Sequence, residues 1–203
     1  MSLRTFKNLS RSIFYNNKSK KAKLKTIRKT PYLWYLTDDI KTKSPHKTIN
    51  RLPNHSGIII RKYTSKFNDN LTKVIIKKSK QKQLKIFIAG QKYDFPSVDG
   101  HHIPKWNNHK PQNNKNISIA VHGFKDIRKS INLKASLVFI SPVFKTTSHK
   151  HQNNLGVIKL GLLAKKFPAP VIALGGINEK NIKLLRSMPI HGVAGISVFE
   201  KPV

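Results

Sequence analysis

The chain has 203 residues, with 40 Lys/Arg against 8 Asp/Glu for a formal charge of +32, and no cysteine. That composition excludes disulfides and thiolate metal sites, and no apolar run approaches the ~18–20 residues a bilayer span needs, so no transmembrane helix is expected. So positive a field attracts phosphates, nucleic acid or an anionic surface, while the lack of cysteine and of an N-terminal secretory pattern fits a cytoplasmic protein.

Residues 1–30 hold ten Lys/Arg and no acid. Leu3, Phe6, Leu9, Ile13 and Phe14 recur at three- and four-residue spacings, which allows a short amphipathic helix before the lysine run that starts at Lys18. Composition otherwise predicts a solvated, partly disordered extension able to touch RNA or an anionic surface.

From Pro31 the pattern becomes regular. Strands are expected over Tyr32–Thr37, Ser56–Arg61, Leu84–Ala89, Val98–Ile103, Ile117–Val121, Leu137–Ile140, Pro170–Leu174 and Gly192–Ile196. Helical patterns fall between most of them. The first covers Lys41–Leu52, with Pro45 set against its opening turn. The second, Asn68–Lys80, is expected to face inward through Leu71, Val74 and Ile75. Further helices are expected over Phe124–Ile131, over Leu155–Phe167 with Leu155, Ile158, Leu162 and Leu163 as its apolar set, and from an Asn178 cap to about Arg186. Lys105–Asn116 is too irregular for a helix. Eight short buried strands alternating with helices predict a single parallel (β/α)8 TIM barrel over residues 31–203, with the basic extension before it.

Loops at the C-terminal ends of barrel strands carry the chemistry, and phosphate is usually held after strands seven and eight. Here the sixth-strand loop brings Thr146 and Ser148, with His149 and Lys150 as further anion contacts. The seventh ends in Gly175-Gly176 and the eighth in Gly195-Ile196-Ser197. Glycines let backbone N–H groups approach phosphate oxygens, and hydroxyls add donors.

The segments LVFISPVFKTTSHK, PAPVIALGGINEKNIKLL and HGVAGISVF, in this order and spacing, resemble the thiamine phosphate synthase/TenI family. PYLWYLTDD, VDGHHIP and ISIAVHG match its first, fourth and fifth strands more loosely. The resemblance covers roughly residues 31–200. It implies a (β/α)8 barrel in thiamine biosynthesis that joins a hydroxymethylpyrimidine pyrophosphate to a thiazole phosphate with Mg²⁺, releasing pyrophosphate. TenI-type members instead tautomerise a thiazole phosphate carboxylate.

Carried over by residue, Thr146, Ser148, Gly176, Ile196 and Ser197 stand where the family holds thiazole phosphate. Arg61 and Lys62 remain from its second-strand basic cluster. His122 ends the fifth strand where the family has a His, a position that in TenI-type members resembles the proton-transfer residue, and an imidazole suits that task near neutral pH. The metal half departs: the third-strand Asn-Asp pair is Ala89-Gly90, the second metal Asp falls near Asn107, and the fifth-strand Ser is Ala120. Mg²⁺ wants carboxylates beside the phosphates. Asp94, Asp38 or Asp39 would have to supply them, or lysines replace the ion. His101 and His102 alternate faces on a strand, so at most one points inward, and a His102–His122 metal pair lacks a third ligand. A basic RNA-associated protein on a barrel scaffold is the alternative of a different class, and the oligomeric state stays open.

Overall fold

The computed structural model describes residues 3–18, 30–38, 41–63, 69–90, 95–107, 111, 115–146 and 153–200. Eight parallel strands close in sequence order, the last pairing with the first. They are β1 (Leu33–Leu36), β2 (Gly57–Lys62), β3 (Lys85–Gly90), β4 (Gly100–Ile103), β5 (Asn116–Val121), β6 (Leu137–Ile140), β7 (Val171–Leu174) and β8 (Gly192–Gly195). The expected (β/α)8 barrel is the fold observed. Around it stand α1 (Leu3–Lys18), α2 (Pro45–Arg51), α3 (Asp69–Gln81), α4 (Asp126–Asn132), α5 (Gly156–Ala164) and a short α6 (Ser197–Glu200). Among the described residues no helix is long and apolar enough to cross a membrane.

Alternation along each strand sorts two apolar layers. Trp34, Leu36, Ile59, Phe87, Ala89, Leu137, Phe139, Ile172 and Ala194 fill the barrel. Trp34 sits at its centre, edge-on to Phe87 and Phe139, both with ring centroids at 5.4 Å. A Cβ on Gly57 would lie 2.2 Å from the Trp34 ring, so the second strand begins with the residue that leaves room for the indole. The opposite strand faces, among them Tyr35, Ile58, Ile60, Val138 and Val193, pack outward against the helices.

Four expectations about the outer layer need correction. The helix expected over Lys41–Leu52 starts only at Pro45, which sits in the first turn of α2, where a residue has no intrahelical partner for its N–H to lose. The buried face of α3 is Thr72, Ile75, Ile76 and Ser79, while Val74 is exposed. In α5 it is Leu160, Leu163 and Ala164, leaving Ile158 and Leu162 in solvent. The stripe buried by α3 thus includes the small polar Thr72 and Ser79, and that of α5 is shifted to Leu160 and Ala164 beside the expected Leu163. Past β7 a single 3₁₀ turn, Ile182–Leu185, replaces the expected helix. Its N-cap position is Asn181, not the expected Asn178, which instead closes a tight turn just before it by accepting the Lys180 N–H at 2.9 Å.

Over residues 3–18 the N-terminal segment forms the amphipathic helix that its spacing allows, with Phe6, Ser10 and Ile13 buried. The helix α1 lies against β8, β1 and the 3₁₀ turn. Phe6 meets Phe199 edge-on at 5.8 Å, and Phe14 stacks on Tyr32 at 5.6 Å and touches His191 at 4.9 Å. Because α6 spans only four residues, α1 supplies apolar cover to the barrel wall where β8 meets β1. The lysine run from Lys20 to Lys29 lies outside the described residues.

Candidate active site

The C-terminal ends of the strands form one mouth, and polar groups enter it from the strand faces that line the barrel. On β2, Ile59 points inside, and alternation brings Arg61 to the same side one step nearer the rim. Its guanidinium meets the Asp38 carboxylate just past β1, with Nη2 to Oδ2 at 2.6 Å and both side chains 19% exposed. Arg61 Nε also donates to the Thr37 carbonyl, and Thr37 Oγ1 accepts the Arg61 backbone N–H at 2.8 Å. The cation is thereby fixed from both Nε and Nη2. The side chain of Lys62 lies outside the described residues.

His102 of β4 is buried, edge-on to Phe139, and its Nδ1 pairs with Ser118 Oγ of β5 at 3.0 Å. Burial, then the nearby charges of Arg61 and His122, hold its pKa down at about 3, so the ring is neutral at physiological pH. Of the two adjacent histidines, His102 is the inward one, as alternation requires. His122 follows β5 on the Ser118–Ala120 side and stands half-buried at the rim. Its backbone is held by Asp126: Oδ2 accepts the N–H of His122 at 2.7 Å and of Gly123 at 3.2 Å.

Across the mouth, the loops after β6 and β7 lie directly on one another. Gly175 and Gly176 have φ of +96° and +68°, and a Cβ on Gly176 would fall 2.4 Å from the Lys145 carbonyl oxygen and 2.5 Å from that of Phe144. Only glycine meets both conditions. Phe144 N–H donates to the Gly175 carbonyl at 3.0 Å, and Asn181 Nδ2 to that of Gly176 at 2.8 Å. Both carbonyls are thus tied back, and the Gly176 N–H donates to no described group. Half-buried Thr146 follows this contact directly. Gly195 closes β8, Ile196 packs on the barrel core and Ser197 opens α6. Ser148, His149 and Lys150 lie outside the described residues, so the expected second hydroxyl and anion contacts have no geometry here.

The carboxylates among the described residues are engaged in other contacts at or away from the mouth. Ala89 is a methyl inside the barrel core, Asp38 is paired with Arg61, and Asp126 accepts two backbone N–H groups. Asp99 lies at the opposite end, accepting from Lys85 Nζ at 3.2 Å, and Glu200 accepts the Tyr35 hydroxyl at 2.5 Å outside the barrel. No cluster of three metal-ligating side chains occurs among the described residues, and Asp39 and Asp94 lie outside them.

Sequence reading passed over three contributors: the His102–Ser118 pair, the Arg61–Asp38 ion pair and the positioning role of Asp126. Only the last leaves a local trace, an Asp four residues beyond a strand-ending His at a helix start.

A family model described as thiamine monophosphate synthase matches residues 97–199, half of the chain, from just before β4 to α6. The chain belongs to that family. The match takes in His102, Ser118, His122, Thr146 and the glycine-rich ends of β7 and β8, and it leaves out Asp38 and Arg61. A provisionally named thiamine-phosphate synthase 2 of Aquifex aeolicus is 32% identical over 83 residues, 41% of this chain and 45% of that protein. Thiamine-phosphate synthase of Prochlorococcus marinus (strain MED4) is 31% identical over 84 residues, 41% of this chain and 23% of that one. The chain therefore spans less than half the length of these curated relatives. A solved thiamine phosphate pyrophosphorylase from Pyrococcus furiosus superposes with a TM-score of 0.67 over 86% of this chain and 90% of its own, at 18% identity, which is a likeness of fold.

Proposed function

We propose that the barrel acts in thiamine phosphate synthesis, as a transferase that joins hydroxymethylpyrimidine pyrophosphate to thiazole phosphate with loss of pyrophosphate. The observation that carries this reading is the β6–β7 clasp, which leaves the Gly176 N–H without a described partner beside the Thr146 loop. Thiazole phosphate would take that N–H, the Thr146 hydroxyl and the Ile196–Ser197 backbone and hydroxyl, with Ser148, His149 and Lys150 adding donors. Arg61, steadied by Asp38 and Thr37, supplies fixed positive charge for a pyrophosphate leaving group, and Lys62 adds to it. Mg²⁺ would normally clamp such a leaving group; the described carboxylates here are committed elsewhere, and no step is assigned to the ion. A cytoplasmic setting suits this chemistry.

A second reading is a TenI-like isomerase that moves a proton on a phosphorylated thiazole. The buried methyl of Ala89 in the place of a carboxamide-carboxylate pair favours it, together with the Asp126-held backbone of His122. His122 would be the proton carrier, while His102, neutral and buried, orients or lines the pocket.

Calorimetry with thiazole phosphate and with the pyrimidine pyrophosphate, each with and without Mg²⁺ and at moderate salt, separates the two. Binding of both, with thiamine phosphate formed on mixing, supports the transferase. Binding of thiazole phosphate alone supports the isomerase. Binding of neither refutes both.

A further inference from the structure

Positive charge is concentrated on one side of the outer wall. Residues 41–55, which carry α2, hold four Lys/Arg and no acid. Residues 69–85, from α3 to the start of β3, hold six lysines against one acid, Asp69. In α5, by contrast, a single lysine stands among nine residues. The helices α2 and α3 pack side by side, so their cations share one face. Lys47, Lys73, Lys77 and Lys80 are all exposed. The last three stand at i, i+4 and i+7 of α3 and line one edge of it, about a helical turn (~5.4 Å) apart. Asp69 sits at the far end of that helix from Lys80.

The C-terminal end of α3 opens onto a cavity of about 370 Å³ at the N-terminal ends of the strands, opposite the mouth. His55, Lys80, Gln83, Lys85, Ser97 and Asp99 line it. Asp99 is used internally: Oδ1 pairs with Lys85 Nζ at 3.2 Å, and Oδ2 accepts the Ile86 N–H at 2.8 Å. What the wall offers a ligand is therefore chiefly donors. The rim is tied together, since the His55 N–H donates to the Lys82 carbonyl at 3.4 Å and Lys82 Nζ to that of Asn50 at 2.9 Å. His55 and Gln83 hold φ of +62° and +54°, where glycine is the usual occupant, yet each keeps a polar side chain on the cavity wall.

We infer that the α2–α3 face and the cavity below it dock the phosphate backbone of RNA. A row of cations at turn spacing, running into a donor-lined hollow, matches a chain of phosphates. A membrane is a poor occupant: both helices bury their apolar sides against the barrel, and on them Val74 is the large apolar side chain left exposed. Because α3 is buried along its length from Thr72 to Ser79, it lies flat and presents no free helix to the major groove of DNA. A-form RNA is met on its backbone and its shallow minor groove, where 2′-hydroxyls pair with groups that both donate and accept. Exposed Asn50, Gln81 and Gln83 supply such groups on this face. The site lies at the other end of the barrel from the proposed chemistry and is independent of it.

Anisotropy of a labelled RNA hairpin with a long duplex stem, titrated with the full chain over a salt series, tests this. A triple variant Lys73→Gln, Lys77→Gln, Lys80→Gln should weaken the hairpin at least tenfold and lower the log–log salt slope by about 3. A control with the same loss of charge on another wall, Lys159→Gln, Lys165→Gln, Lys166→Gln, should stay within about twofold. Gln83→Glu, which puts a carboxylate into the cavity, should also weaken the hairpin, and all three variants should keep the native melting temperature. Equal losses in the two triple variants would overturn the proposal, because net charge alone would then explain binding. So would a DNA duplex of the same sequence, or phosphatidylserine vesicles, bound as tightly as the hairpin.

Discussion

Replacing Phe6 with alanine tests whether α1 belongs to the barrel or merely precedes it. Phe6 is 1% exposed and meets Phe199 edge-on at 5.8 Å, on a helix that also buries Ser10 and Ile13. Truncating a buried phenylalanine removes its transfer energy and leaves a cavity, about 3–5 kcal/mol together. Against a total stability of ~5–15 kcal/mol that is a large fraction. For a protein of this size each kcal/mol moves the midpoint by ~2–4 °C, so Tm should fall by roughly 6–20 °C. With an m-value of about 2 kcal/mol/M, the urea midpoint should drop by about 2 M at unchanged slope. Asn8→Ala, on the exposed face of the same helix, should stay within ~0.5 kcal/mol. Circular dichroism across a urea series for the three proteins decides. A Phe6→Ala loss below ~1 kcal/mol, no larger than the Asn8 control, would mean that α1 is undocked in solution and the solvated-arm expectation was right. The outcome also governs any nucleic-acid experiment. Removing residues 1–30 would strip a structural helix, so binding through that segment is better probed by exchanging exposed lysines.

Gly176→Ala should abolish phosphate-ligand binding, tenfold or more by calorimetry, because a Cβ at φ +68° would press into the Phe144 and Lys145 carbonyls; retained affinity would remove the clasp from the site. Arg61→Lys should weaken the pyrophosphate ligand nearly as much as Arg61→Ala, since an ammonium cannot reproduce the fork shared between Thr37 and Asp38. Full activity in Arg61→Lys would reduce Arg61 to a point charge. The His102 ring is neutral when folded, with a pKa near 3, below its unfolded value of 6.5. The unfolded chain then binds the extra proton between those values, so the contribution is complete above pH 6.5 and is lost as the pH falls towards 3. The loss should run at about 1.4 kcal/mol per pH unit. Urea unfolding at pH 7, 5.5 and 4 should show that slope in the native protein and a shallower one in His102→Gln; equal slopes would mean that His102 is not the group responsible.

Much of the barrel was legible because it is written in local terms. The strand Leu137–Ile140 has the observed bounds, and the other seven fall within two residues of theirs, since continuous runs of branched and aromatic residues have few alternatives. The adjacent glycines after Leu174 likewise marked a close backbone approach. Helix faces were harder to read. In α3 the pattern of apolar residues pointed to Val74, but Thr72 and Ser79 line the buried face with Ile75 and Ile76. Sequence spacing cannot weigh small polar residues against the shape of a surface it does not yet have.

By itself, then, the sequence determined the fold class, the order of the elements and the end of the barrel where chemistry gathers. These follow from periodicity, turn residues and the fixed geometry of βα units. Only the tertiary structure decided that α1 covers the wall between β8 and β1, that Arg61 leans on Asp38, and that His102 is buried against Ser118. Each of those contacts joins residues far apart in the chain, and each exists only once closure of the barrel has brought their strand ends together.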